Sequence, residues 1–185
     1  MLRCLRFLRQ LVLTTAVALP ACLPIHAGAA PVTYDAFLEG DGLSLFTVTD
    51  AATGSGNGAW LGSLADAPFP VPTRPLSLLT RVNFQFDALL GLLSGDFEFT
   101  DANDFSSTIT GLLSATFLSG GFDTGGQLGL DYTITGGTGA FGSASGALVS
   151  LVDITAATDG SYREVATGQF SVPEPGSLLL VAGAL

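Results

Sequence analysis

Hydrophobic and polar residues alternate along several segments in the middle of the chain, and this alternation restricts the possible folds more than any other feature. Within 82–87, Val and two Phe residues occupy the even positions, while Asn, Gln and Asp occupy the odd ones. The same period recurs within 96–100 and 128–135. Because successive side chains of a strand point to opposite faces, each segment predicts a strand with one face in a core and the other in water.

Turn-forming residues separate these predicted strands. The segment 101–104 suits a tight hairpin, glycine pairs within 120–126 bracket a second connection, and Asp159–Gly160 marks a third. The proline-rich segment 67–75 predicts a loop, because proline cannot donate to a strand ladder. Helical periodicity is weak and confined to the run near 89–93. Residues 30–171 are therefore predicted to form one all-β domain, either an antiparallel barrel or a sandwich.

Reactive and metal-binding residue types are concentrated at the N-terminus. Both Cys residues, the single His and the single Met lie within the first 26 positions, and the chain contains no Lys. The predicted domain therefore has no thiolate nucleophile, no imidazole base and none of the ligands that zinc and copper prefer. After the predicted signal peptide the basic residues are Arg74, Arg81 and Arg163, against sixteen acidic residues, which disfavours nucleic acid and anionic lipid as partners. We expect no cofactor, no metal and no nucleic-acid partner.

Residues 1–29 have the organisation of a signal peptide. Three arginines precede an apolar segment at 11–19, and the small residues Ala27 and Ala29 form the predicted cleavage site. A first helix of the fold and a membrane anchor are the alternatives. The apolar segment is too short to cross a hydrocarbon core of ~30 Å, and prolines interrupt the helix that would be needed. We therefore predict export.

A second processing route would involve Cys22. The segment LPAC at 19–22 loosely resembles a lipobox, whose cysteine becomes a lipidated N-terminus. Proline is an unusual residue within that motif, so cleavage after Ala29 is the favoured prediction.

The C-terminal segment 172–185 carries a second sorting signal. Val172, Pro173, Glu174 and Pro175 precede Gly-Ser and an apolar run, and the segment resembles the PEP-CTERM sorting signal of Gram-negative bacteria. The resemblance implies processing by an exosortase, which is a membrane transpeptidase, and a transient membrane contact through the apolar run. It also implies a surface or matrix location linked to exopolysaccharide and biofilm.

The family pattern is incomplete in this chain. In that family a transmembrane helix and an arginine-rich tail follow the motif. Here the apolar run from Ser177 is shorter than the ~20 residues that span a bilayer, and no arginine cluster follows it. The expectation is a truncated or degenerate signal, and an ordinary proline-rich tail is the alternative.

A glycine-rich segment indicates the type of barrel. Residues 136–146 read GGTGAFGSASG after a strand-like YTIT, and they resemble the GGTGxFxGAxG segment of dirigent-like and allene-oxide-cyclase-like barrels. The resemblance implies an antiparallel barrel of about eight strands. The lumen residues of that family lie outside the matched segment, so none is assigned here. The matching turn positions are Gly136, Gly137, Gly139, Phe141 and Gly146.

The candidate ligand contacts are Trp60, Arg81 and Tyr132. The rings would stack on a sugar or an apolar ligand, and the arginine would face inward. The alternative is that the rings are core residues and the arginine lies on the rim.

Asp96 and Glu98 share one strand face, about 7 Å apart by strand rise. Glycoside hydrolysis by a pair of carboxylates can use this separation. A water-facing acidic pair explains that pattern better, so no catalytic residue is assigned.

Three functions follow from these patterns. The favoured one is an exported, non-enzymatic surface or matrix protein, located in the periplasm, at the outer surface or in the extracellular matrix. Its partners would be the secretion machinery, an exosortase-type transpeptidase and an exopolysaccharide. The alternatives are a ligand-binding or cyclase-like barrel for an apolar small molecule, and a glycan-active enzyme using Asp96 and Glu98.

Overall fold

The computed structural model describes residues 31–67, 75–122, 124–155 and 160–173. Eight strands and a single 3-10 turn at Gly139–Phe141 make up nearly all of this part of the chain. The predicted signal peptide lies outside the described residues. The strands are β1 (Val32–Asp50), β2 (Ser55–Asp66), β3 (Ser77–Asp87), β4 (Leu92–Asp101), β5 (Thr108–Gly121), β6 (Gly125–Gly137), β7 (Ser145–Ile154) and β8 (Ser161–Val172).

The strands form a closed up-and-down barrel. Each strand pairs antiparallel with the next, and β8 pairs antiparallel with β1, so that Val32 lies opposite Val172. The all-β prediction is confirmed, and the barrel rather than the sandwich is the form adopted. Closure leaves no strand edge exposed to another chain. In the described part of the chain, no helix is long and apolar enough to cross a bilayer.

Side-chain alternation places the core inside the barrel. On β3, Val82, Phe84 and Phe86 are buried, whereas Arg81 and Gln85, at alternate positions, are exposed. The other strands follow the same rule, as the sequence pattern predicts. The largest fully buried side chains belong to Trp60, Tyr132, Phe97, Phe99, Phe170, Leu38, Leu64, Leu78, Ile109, Leu128, Leu130 and Glu164.

The barrel has two different ends. The upper rim carries the β1–β2, β3–β4, β5–β6 and β7–β8 connections. The lower rim carries the start of β1, the end of β8 and the other three connections. Both ends of the barrel chain therefore leave from the lower rim, opposite the four upper connections.

The weak helical prediction near 89–93 is wrong. These residues form a turn, and β4 begins at Leu92. The carboxylate of Asp87 accepts hydrogen bonds from the backbone N–H groups of Leu89 and Leu90, at 2.9 and 3.1 Å. Gly91 then adopts a φ of +64°, a conformation that ends a helix and that glycine adopts without steric cost.

Candidate functional site

A buried carboxylate marks the interior of the barrel. Glu164 on β8 is 2% exposed and lies in the inward phase of the strand, between Tyr162 and Ala166. Its Oε1 accepts a hydrogen bond from the Tyr132 hydroxyl at 2.8 Å and another from the Ser150 hydroxyl at 2.7 Å. Strands β6, β7 and β8 thus each contribute one side chain to a single polar cluster, the Glu164 cluster.

Burial controls the ionisation of this cluster. Loss of water raises the pKa of Glu164, and the hydrogen bonds from Ser150 and Tyr132 oppose part of that rise. Burial and then the Glu164 charge raise the pKa of Tyr132 well above its ordinary value. Since the pKa of the tyrosine rises this far, its hydroxyl stays protonated and remains a hydrogen-bond donor to the carboxyl group.

Two further polar pairs lie in the same interior. The Trp60 indole N–H donates to the Ser44 hydroxyl at 2.8 Å, and the hydroxyls of Thr80 and Tyr162 lie 3.1 Å apart. Burial is the main factor that raises the pKa of Tyr162 to about 12. Among the described residues, every fully buried side-chain nitrogen and oxygen has a hydrogen-bond partner. The polar groups of the interior therefore satisfy one another.

Aromatic rings fill the space around these pairs. Trp60 lies 4.8 Å from Phe84, between ring centroids, and Tyr132 meets Phe97 edge to face at 5.0 Å. Such contacts add to the stabilisation that burial gives. The middle of the barrel is accordingly packed with side chains.

An apolar cavity of about 360 Å³, the upper-rim pocket, opens at the upper end of the barrel. Phe46, Phe86, Phe117 and Phe122 line it, together with turn residues that include Gly91. Phe86 and Phe122 are buried, whereas Phe46 and Phe117 are only partly buried against the core. Phe117 meets Phe122 edge to face at 5.0 Å. The pocket offers four ring surfaces to a small apolar ligand.

The structure places two of the three predicted ligand contacts inside the barrel and the third outside it. Trp60 and Tyr132 both point into the packed interior. Arg81 is exposed on the outer face of β3, opposite Glu98 in the strand register. Contact of any of the three with a ligand stays a prediction.

The predicted carboxylate pair lies outside the barrel. Asp96 and Glu98 are both exposed on the outer face of β4. Asp96 accepts a hydrogen bond from the Asn83 side chain at 3.0 Å, across the β3–β4 pair. The pair is therefore remote from the Glu164 cluster.

The glycine-rich turn motif closes the lower rim. Gly139 begins the 3-10 turn with a φ of +56°, and a Cβ there would crowd the Ser107 side chain. The turn drives Phe141 into the barrel end, where it is buried against Tyr34 and Phe170. The Phe141 ring thus fills the lower end of the barrel, and we call it the lower-rim plug. Its remaining positions are Gly136 and Gly137 at the end of β6 and Gly146 at the start of β7.

The sorting motif begins where the barrel ends. Val172 is the buried last residue of β8, and Pro173 follows it at an exposed position. Glu174 and Pro175 lie outside the described residues, as do the predicted cleavage residues at 27 and 29.

Sequence reasoning missed Glu164, although a signal was present. Period two places it in phase with Tyr162, Ala166 and Phe170, all of which are buried. A carboxylate in the hydrophobic phase of a strand is unusual, because burying a charge is costly unless it is hydrogen-bonded. What the sequence does not contain is the strand register that places Tyr132 next to Glu164.

Comparisons with known proteins agree with this architecture. No protein-family model and no curated protein sequence matches the chain. Among solved structures, the chain is similar to the pterocarpan synthase dirigent protein GePTS1, with a TM-score of 0.55, 14% identity, and coverage of 86% of this chain and 100% of that one. It is also similar to the pterocarpan synthase dirigent protein PsPTS1, with a TM-score of 0.54, 16% identity, and coverage of 80% and 99%. The barrel of this protein therefore has the dirigent fold.

Proposed function

We propose that this protein is an exported, non-catalytic β-barrel, sorted through its C-terminal PEP-CTERM-type signal to the outer surface or the extracellular matrix. The secretion machinery and an exosortase-type transpeptidase process its two ends, and an exopolysaccharide is its contact outside the cell. The observation that carries the proposal is the position of the motif, since Pro173 is exposed directly after the last residue of β8. A peptidase reaches such a segment without unfolding the barrel.

The interior supports a non-catalytic role. The Glu164 cluster is packed among aromatic rings, and its Oε1 already receives two hydrogen bonds. A catalytic acid or base has to reach a substrate atom within hydrogen-bond distance. The packed rings leave no such approach from the middle of the barrel, so the carboxylate stabilises the fold.

Cell fractionation tests the sorting proposal. We expect the wild-type chain to be shortened at its C-terminus and recovered outside the inner membrane. The Pro173→Ala/Pro175→Ala variant is expected to remain unshortened, because the Pro-Glu-Pro motif that the peptidase reads is lost. Pro75→Ala, an exposed proline before β3, serves as the matched control. Identical processing and location of all three proteins would remove the proposal.

A second candidate function is binding of an apolar small molecule in the upper-rim pocket. The four phenylalanine rings and the volume of about 360 Å³ favour it, since ligand pockets are typically apolar and of this size or larger. The neutral dye N-phenyl-1-naphthylamine is a suitable probe. We expect saturable fluorescence enhancement that Phe117→Ala weakens and Phe105→Ala, at an exposed lower-rim position, leaves unchanged. Equal enhancement in both variants would exclude the pocket as the binding site.

A further inference from the structure

A long groove crosses the outer face of the barrel from β2 to β6. It consists of two adjoining hollows of about 840 and 670 Å³. The two hollows share Asn57, Gln85 and Ser94 in their linings, so they are continuous. This outer groove lies on the opposite side of the barrel wall from the packed interior.

Two glycines, Gly58 and Gly95, lie on the inner side of the wall beneath the groove. The inward row beneath the groove runs through Gly58, Phe84, Gly95 and Leu113, which are neighbours in the strand register. A Cβ at Gly58 would overlap the Phe84 ring, and a Cβ at Gly95 would overlap the Asn83 carbonyl. Glycine permits this close approach of residues on the neighbouring strand.

A row of polar side chains, one from each of five neighbouring strands, follows the curved wall along the groove. Asn57 pairs with Gln85, Gln85 with Ser94, Ser94 with Ser114, and Ser114 with Asp131. All five belong to the outward phase of their strands. Neighbouring strands lie about 4.8 Å apart, so the row spans about 19 Å across four intervals. It presents one polar group per strand.

These side chains differ from polar residues elsewhere on the outer face. Outside the row, Gln127 donates to Asp153 at 2.9 Å and Gln169 donates to Asp35. Within the part of the chain that the structure describes, the side chains of Gln85, Ser94 and the other members of the row make no such hydrogen bonds. Their donors and acceptors are therefore available to a ligand.

We propose that the outer groove binds an uncharged carbohydrate chain laid across the strands. Amide and hydroxyl groups both donate and accept, as sugar hydroxyls do, and Leu92 and Leu112 supply aliphatic surface for the C–H faces of the sugar rings. The lining includes Asp87, Asp96 and Asp131, and no described lining residue is cationic, so an acidic glycan would be repelled. The spacing of one polar group per strand is close to the length of one sugar residue in an extended chain. This proposal rests on the proposed function in one respect, which is that the partner is a polysaccharide. The position of the site and the preference for neutral sugars are inferred from the groove.

Titration of the protein produced from the full chain tests this site. The neutral probes are cellohexaose, laminarihexaose and maltohexaose, and the acidic probe is hexagalacturonate, each followed by chemical-shift changes of backbone amides. We expect at least one neutral hexaose to bind with shifts confined to β2–β6, and its disaccharide to bind more weakly because it spans fewer strands. Gln85→Ala/Ser94→Ala should weaken binding roughly tenfold, since two hydrogen-bonding groups are lost. Gln169→Ala removes the same kind of amide from β8 and should leave binding unchanged.

Three results would overturn the proposal. The first is that no neutral hexaose at millimolar concentration changes the backbone amide shifts. The second is that Gln169→Ala weakens binding as much as Gln85→Ala/Ser94→Ala does. The third is that hexagalacturonate binds as tightly as the neutral sugars. Native circular dichroism of each variant establishes that lost binding does not reflect unfolding. The Pro173→Ala/Pro175→Ala protein should bind the sugar normally. If the wild type and this variant are processed alike while both bind the sugar, only the proposed function is removed; if sorting depends on the motif but neither protein binds the sugar, only the groove is removed.

Discussion

The buried carboxyl group of Glu164 should make the stability of the barrel depend on pH in a direction opposite to that of an ordinary surface acid. Burial raises its pKa in the folded protein above the value in the unfolded chain, which is about 4.3 for glutamate. The folded state therefore binds the proton more tightly than the unfolded state. The stability that this group contributes is fully present below pH ~4.3 and is lost as the pH rises through the folded pKa.

Proton linkage sets the size of the effect. A single group changes the free energy of unfolding by at most about 1.36 kcal/mol per pH unit, and only between its unfolded and folded pKa values. Asp66, whose pKa is also raised by burial, and Asp50 and Asp104, whose pKa values are lowered by hydrogen bonds, contribute slopes of their own. A comparison with Glu164→Gln removes those contributions, because all three groups titrate in both proteins.

Urea unfolding at a series of pH values from 4 to 8 measures this slope. The amide oxygen of Glu164→Gln can still accept from Tyr132 and Ser150, but the side chain no longer titrates. The unfolding free energy of the wild type minus that of the variant should fall as pH rises above about 4.3, with a slope no steeper than about 1.36 kcal/mol per unit, and then level off. A difference that stays constant across this range, or that grows with pH, would refute the reasoning.

Two further predictions concern packing. Glu164→Leu leaves the Tyr132 and Ser150 hydroxyls without their acceptor, at about 1–3 kcal/mol each, so urea unfolding should show the free energy of unfolding lowered by about 2–6 kcal/mol. Adding Tyr132→Phe and Ser150→Ala should restore most of that free energy. No recovery would show that the lost hydrogen bonds are not the cause. Phe141→Ala should lower the free energy of unfolding by about 3–5 kcal/mol, because it removes the buried ring that closes the lower rim. Phe105→Ala, at a residue 67% exposed, should change thermal stability little. Equal losses in the two variants would show that Phe141 does not have this role.

The side of the wall on which a residue lies could be predicted from the sequence, and its partners could not. The alternation that buries Val82 and Phe84 also places Arg81 outside, so the inward role suggested for that arginine conflicts with the pattern of its own strand. Period two likewise predicts the inward position of Glu164. The contact of Glu164 with Tyr132 depends on the register of three strands, and no local pattern specifies that.

Closure of the barrel was beyond sequence reasoning for a related reason. The pairing of β1 with β8 joins residues that are far apart in the chain, as with Val32 and Val172. The long strand β1 also carries Gly40 and Gly42, which weaken the alternating pattern. Both glycines have a structural purpose, because a Cβ at either would overlap a backbone carbonyl of β2. The resemblance to dirigent-like barrels supplied the strand number that periodicity alone did not.

The position of both barrel ends on the lower rim has a mechanical consequence. Strands β1 and β8 are neighbours, and their register begins at the pair Val32 and Val172. A force that pulls these two ends apart loads their hydrogen bonds one after another, as in opening a zipper. A force applied between Val172 and the upper rim instead runs parallel to the strands and loads many hydrogen bonds at once. A molecule tethered by its C-terminal end and gripped at its other rim or along its wall should therefore resist tension far better than one stretched between its two ends.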